Sequence, residues 1–61
     1  MLEFAETVLS SVRRLQRETH ESILSGGIRD MEQYKFLMGR LEGYKFVEME
    51  IQHLLSKDQD Q

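Results

Sequence analysis

Residues 25–30 read Ser-Gly-Gly-Ile-Arg-Asp and separate two segments in which apolar side chains recur at helical spacing. Glycine reaches left-handed backbone conformations at little cost, so Gly26-Gly27 favours the end of a helix. Asp30 is a preferred N-cap residue, and Gln33 follows it at the spacing of a capping box. A second helix is therefore expected from residue 31. Because the connection is so short, the two helices are predicted to be antiparallel neighbours.

The segment before the glycines predicts an amphipathic helix over residues 3–25. Its apolar residues, together with one threonine, fall three and four positions apart and so share one stripe of a helix. The stripe consists of Ala5, Val8, Leu9, Val12, Leu15, Thr19 and Ile23. Charged residues occupy the opposite face, so this helix is expected to bury one face only.

The segment after the glycines predicts a helix over residues 31–56 with more apolar surface than one partner can cover. Its main seam, expected to face the first helix, consists of Tyr34, Leu37, Leu41, Tyr44, Glu48, Ile51 and Leu55. A second, coiled-coil-like seam is rotated from the first by about 100°. It consists of Phe36, Arg40, Gly43, Val47, Glu50 and Leu54. The sequence thus predicts an all-α antiparallel two-helix hairpin that assembles into a helical bundle or packs on a larger partner.

The expected organisation is a single domain. Residues 1–57 form the hairpin, with helix 3–25, turn 26–30 and helix 31–56, and the tail 58–61 is expected to fray because it has nothing to bury. The chain has 61 residues, which is near the lower limit for folding alone. It has no cysteine to form a stabilising disulfide and no proline to interrupt a helix.

Two glycines within the second helix are the feature least expected from folding alone. Gly39 and Gly43 each cost about 1 kcal/mol relative to alanine in a helix interior. Their spacing would let another backbone approach closely, or would make room for the large side chains of a neighbouring helix. The methionines of this helix fit either a pliable recognition surface or simple core. The predicted partner or oligomer interface is Phe36, Met38, Gly39, Arg40, Gly43, Phe46, Val47, Met49 and Leu54.

Composition argues against several partners. Eleven acidic residues against eight lysines and arginines give a net charge of -3, whereas phosphate-backbone binding normally needs a basic surface. A membrane span needs roughly 20 predominantly apolar residues, and the longest apolar run here is Phe36-Leu37-Met38. The first residues carry acids where a signal peptide carries basic residues, so a cytoplasmic location is expected.

No arrangement of residues predicts catalysis. Glu50 and His53 have the Glu-x-x-His spacing of di-iron bundles, but the pair occurs once and lies away from the main seam. The sequence has no catalytic triad spacing, glycine-rich phosphate loop or zinc motif. A two-helix hairpin is also too thin to form a concave pocket. We therefore expect no catalytic residue, metal, cofactor or small-molecule substrate, and expect that the protein is not an enzyme.

The region 30–44, with Tyr-Lys-x-Leu-x-Gly-x-x-x-Gly at residues 34–43, resembles short uncharacterised helical proteins of tailed bacteriophages. Such proteins are often encoded among virion-assembly genes. The resemblance implies a phage origin and a role in particle structure or assembly, with the chain itself or a larger phage protein as partner. It also implies a location in the virion or the host cytoplasm. It transfers no catalytic or ligand residue.

The alternative function is a small regulatory binder of a host protein or RNA. Its basis is the basic cluster Arg13, Arg14 and Arg17 on the first helix. The plasmid copy-control protein Rop, a hairpin dimer of similar length, reads RNA with such a patch, although the likeness is one of architecture alone. Glu18 and Glu21 stand near the arginines and favour a salt-bridged, solvated face instead.

Overall fold

The computed structural model describes residues 2–59 and consists of two α-helices joined by a short loop. Helix α1 spans Leu2–Leu24 and helix α2 spans Met31–Gln59. They pack against each other in a rod of 48 × 15 × 13 Å. The predicted all-α helical hairpin is therefore confirmed. In the part of the chain described, neither helix combines the length and the apolar character needed to cross a membrane.

The C-terminus of α1 is closed by the glycine that the sequence singles out. Gly26 has a φ of 82°, in the left-handed region, and the preceding Ser25 N–H donates to the Glu21 carbonyl oxygen at 2.9 Å. This arrangement turns the chain away from the helix axis. Gly27 lies outside that region, so only the first glycine of the pair needs its conformational freedom.

The N-terminus of α2 is capped as the sequence predicts, with one difference. The Asp30 carboxylate accepts a hydrogen bond from the Gln33 N–H at 2.8 Å, which satisfies a free donor of the first turn. The Gln33 side-chain oxygen accepts in return from the N–H of Arg29, also at 2.8 Å. In a capping box the return bond goes to the N-cap residue itself, so here it is displaced by one residue.

The helix bounds differ from the predicted ones at three ends. Helix α1 begins at Leu2, one residue before the predicted start. Helix α1 ends at Leu24, one residue before the predicted end, because Ser25 already belongs to the turn. Helix α2 continues to Gln59, three residues beyond the predicted end at Ser56. No glycine or proline stops it there, and Lys57 places a cation in the last turn, where the helix dipole favours positive charge. Residues 58 and 59 of the predicted frayed tail are thus helical; Asp60 and Gln61 lie outside the described residues.

The core between the helices is small. Leu9, Val12 and Leu41 are buried, together with Thr19, whose hydroxyl donates to the Leu15 carbonyl oxygen at 2.8 Å. The remaining residues of the α1 stripe and of the α2 main seam are half-buried, and Tyr34 is the exception at 40 % exposed. The predicted pairing of the stripe with the main seam is therefore observed, but it makes a thin core.

We predict that the two loop glycines respond in opposite ways to alanine. Gly26→Ala should lower the free energy of unfolding by about 1–2 kcal/mol, because a Cβ disfavours the left-handed conformation. Gly27→Ala is the matched control, since its Cβ would lie at ordinary contact distances of 3.7 and 3.8 Å from Ser25 and Ser22. It should raise stability by about 0.4–1 kcal/mol through the unfolded state. Urea unfolding followed by circular dichroism measures both, and equal effects would contradict the assignment.

Candidate helix-packing interface

Four large apolar side chains lie exposed on the side of α2 that is turned away from the main seam. The exposed fractions are 61 % for Phe36, 66 % for Phe46, 46 % for Val47 and 61 % for Leu54. We define the outer face of α2 as these four residues together with Gly39, Arg40, Gly43 and Glu50. The outer face contains seven of the nine residues of the predicted interface.

The outer face exposes large apolar side chains whose burial would add to the stability of the hairpin. The core contains three buried hydrophobic residues, and none of the described side chains is fully buried. At about 25 cal/mol per Å² of apolar surface, covering a phenylalanine that is more than half exposed contributes about 2 kcal/mol. A partner on this face would therefore add hydrophobic stabilisation that the hairpin alone does not have.

The structure of the hairpin gives no reason for the two helical glycines. A Cβ built at Gly39 or at Gly43 meets nothing within 4 Å. Helix α1 therefore does not occupy the space beside either residue, and alanine would fit both positions in the isolated hairpin. Both glycines lie on the outer face, between Phe36 and Phe46 along the helix.

Arg40 lies at the border of the outer face. Its guanidinium carbon is 4.9 Å from the centroid of the Phe36 ring, one helical turn earlier, in a cation–π contact. The same residue lines a shallow groove between the helices together with Leu37 and Tyr44. The guanidinium head of Arg40 thus covers one side of an exposed aromatic ring.

The structure does not bring the methionines of the predicted interface to the outer face. Met38 is 39 % exposed and Met49 is 64 % exposed, on the same side of the helix as the exposed Met31. At 100° per residue, Met49 is about 140° around the helix from Leu54. Met49 is, however, only about 60° around the helix from Phe46, three residues earlier, so the methionines lie next to the Phe46 edge of the outer face.

A carboxylate in the main seam links the two helices and was not predicted to do so. Glu48 accepts from Arg13 Nε at 2.9 Å and from Gln16 Nε2 at 2.8 Å, one donor on each carboxylate oxygen. The hydrogen bond from Gln16, then that from Arg13, holds the pKa of Glu48 below its ordinary value of 4.5, and the positive charges of Arg13 and Lys45 act in the same direction. Glu48 is thus a polar clamp between α1 and α2.

The sequence carries a signal for this clamp. Glu48 is the one acid among the apolar residues of the main seam, and a half-buried carboxylate requires donors. Arg13 and Gln16 are three residues apart on α1 and therefore present two donors to one acceptor.

The basic cluster of α1 is partly engaged by these contacts. Arg13 pairs with Glu48, and Arg14 pairs with Glu18 at 3.2 Å, which is the predicted salt bridge one turn away. Two of the three arginines therefore already have carboxylate partners. Across the described residues, no group of three or more histidine, cysteine, aspartate or glutamate side chains could hold a metal ion.

No protein-family model matches this chain, and no curated protein or solved structure shows significant similarity to it. The resemblance of residues 30–44 to short phage proteins therefore stays a prediction. The function must be argued from the hairpin itself.

We predict that Glu48 makes the stability of the hairpin sensitive to acid. Its folded pKa is lowered, so its contribution is present above pH 4.5 and is lost as the pH falls through the folded pKa. Glu48→Gln should therefore be less stable than the wild type at pH 7, and the difference should shrink at an acidic pH well below 4.5. Melting temperatures followed by circular dichroism measure the difference.

Glu42→Gln is the control, because it removes the same charge from an exposed position of α2. It should keep the acid response of the wild type. Melting curves of wild type and Glu48→Gln that differ by the same amount at both pH values would contradict the clamp.

Proposed function

We propose that this protein is a non-enzymatic structural or assembly component of a phage particle, acting through helix–helix packing on the outer face of α2. The partner is the chain itself or a larger virion protein. The observation that carries the proposal is the contrast between a core of three buried hydrophobic residues and an outer face with four large exposed ones. Several large apolar side chains exposed along one face of a helix are typical of a protein–protein contact.

The glycines support a close contact rather than a loose one. Two glycines in a helix interior cost about 2 kcal/mol together relative to alanine, and the hairpin gains nothing in return. A backbone that packs directly on the outer face would use the space they leave. A protein that only exposed this face to water would be better served by alanine at both positions.

The phage setting is supported by the resemblance of residues 30–44 to short phage proteins. The virion or the host cytoplasm follows from it as the location. The alternative, a regulatory binder of RNA, has less support because Arg13 and Arg14 are paired with glutamates. RNA binding that weakens steeply with salt would favour the alternative.

Site-specific photo-crosslinking in the producing cell tests the proposed function. A photoreactive phenylalanine analogue placed at Phe46 should crosslink the chain to itself or to a larger particle protein identified by mass spectrometry of purified virions. The same analogue at the exposed Arg17, on the polar face of α1, is the control and should crosslink much less. Absence of the protein from purified particles, with equal crosslinking at both positions, would contradict the proposal.

We predict that Gly43→Leu separates helix stability from assembly. The substitution should favour the helix by about 0.8 kcal/mol through propensity, because the isolated hairpin leaves the position open. Overpacking against a close partner should cost about 1–3 kcal/mol, so the assembly weakens. Circular dichroism measures the helix, and sedimentation equilibrium measures the assembly.

Glu42→Leu is the matched control, since it adds the same side chain about 100° away on α2. It should leave the assembly unchanged. Intact assembly of Gly43→Leu with raised thermal stability would show that Gly43 faces water.

A further inference from the structure

Six residues of the outer face of α2 form a seam and can be grouped into three pairs. The two members of each pair lie equally far from Lys45 along the chain, one on either side. Phe36 and Leu54 are equally far from Lys45 along the chain, and so are Arg40 and Glu50. Gly43 and Val47 form the third pair, two residues on either side of Lys45. Each pair combines complementary members: two large apolar residues, two opposite charges, and a glycine with a branched side chain.

The spacing of the seam is that of an antiparallel coiled coil. Its residues alternate between steps of four and three, which is a heptad pattern of a and d positions. When two such helices pack antiparallel, an a position of one lies opposite a d position of the other. The seam pairs above are a–d pairs, so an antiparallel copy would place each residue opposite its complement.

We propose that the occupant of the outer face is a second copy of this chain, packed with its α2 antiparallel across a two-fold axis level with Lys45. The inference rests on the proposed function and names the partner that it left open. A two-fold interface is self-complementary, so each pair of the seam is made twice. The two copies would bury four large apolar side chains of the seam, two Phe36 and two Leu54, in the outer layers.

The pairing of Arg40 with Glu50 favours an antiparallel over a parallel dimer. In the antiparallel dimer each Arg40 faces a Glu50 of the other copy, whereas a parallel dimer would set Arg40 against Arg40 and Glu50 against Glu50. Juxtaposed like charges are strongly unfavourable in a contact, and complementary charges fix register and direction more than they add affinity. The cation–π contact holds the Arg40 head on the outer face, over Phe36, where it can meet this partner.

The pairing of Gly43 with Val47 accounts for a glycine in the central layers of the seam. Gly43 would lie opposite Val47 on both sides of the two-fold axis, so the helices can approach closely at the centre of the contact. The open space beside Gly43 in the single hairpin is then filled by the valine of the second copy. The outer seam is about 100° from the main seam, so the second copy packs beside α1 without displacing it.

Charge reversal tests the pairing. Arg40→Glu and Glu50→Arg should each raise the dissociation constant of the dimer at least about tenfold, because each creates two like-charge contacts. The double variant Arg40→Glu/Glu50→Arg restores opposite charges and should return to within about threefold of the wild type. Lys35→Glu makes the same charge change outside the seam and should leave the dissociation constant unchanged. Failure of the double variant to recover would overturn the pairing.

Spin labelling tests the direction. The chain has no cysteine, so Glu32→Cys gives a single site for a nitroxide at the start of α2. In the antiparallel dimer the two labelled positions should be about 40 Å apart along the axis, at 1.5 Å per residue. A parallel dimer would bring them to about 10 Å. Pulsed dipolar spectroscopy at a concentration where sedimentation shows the dimer distinguishes the two.

The outcomes also separate this inference from the proposed function. A short distance, or a monomer whose Phe46 position crosslinks to a larger particle protein, would overturn the antiparallel dimer and leave the proposed function standing. A stable monomer without crosslinks at Phe46 would overturn both. A distance near 40 Å together with recovery in the double variant is the result that we expect.

Discussion

A two-helix hairpin lets each helix cover the other along one face only, and the rest of this structure depends on that limit. Helix α1 has one apolar stripe, and α2 covers it. Helix α2 has apolar side chains on several sides, and α1 covers only the main seam. The apolar residues outside that seam, such as Phe36 and Leu54, are therefore exposed because the hairpin has no further helix to cover them, although their side chains are as apolar as those of the core. Among the described residues, 2–59, no third element supplies the missing contact.

The elements of the fold could be predicted because their signals are local. A left-handed glycine and an N-cap aspartate act on the backbone within a few residues, and the observed bonds of Ser25, Asp30 and Gln33 lie where those signals place them. The end of α2 was less predictable, since no stop signal follows Ser56 and helix ends are commonly uncertain by one or two residues. The contact of Glu48 with Arg13 and Gln16 depends on how two helices meet across more than 30 residues of sequence, which periodicity alone does not give.

The grouping of residues in the candidate interface could also be predicted in part. Seven of its nine residues share the outer face because helical spacing fixes which side chains neighbour each other. Met38 and Met49 were included for their chemical character, and the helix places them next to the Phe46 edge of that face. What no sequence pattern could give was whether α1 fills the space beside Gly39 and Gly43. The geometry of the hairpin shows that it does not.

The clamp and the outer face have complementary roles in the proposed assembly. Glu48 fastens α1 to the main seam with directional bonds, so α1 and a partner on the outer face contact separate sides of α2. Because the core is thin, a partner of the proposed kind would add hydrophobic stabilisation, since anything that binds the folded chain alone shifts the folding equilibrium towards it. Folding and assembly would then be linked, and the stability of the hairpin would rise with its concentration if the partner is a second copy. In this arrangement the glycines weaken the isolated helix but make close packing in the assembly possible.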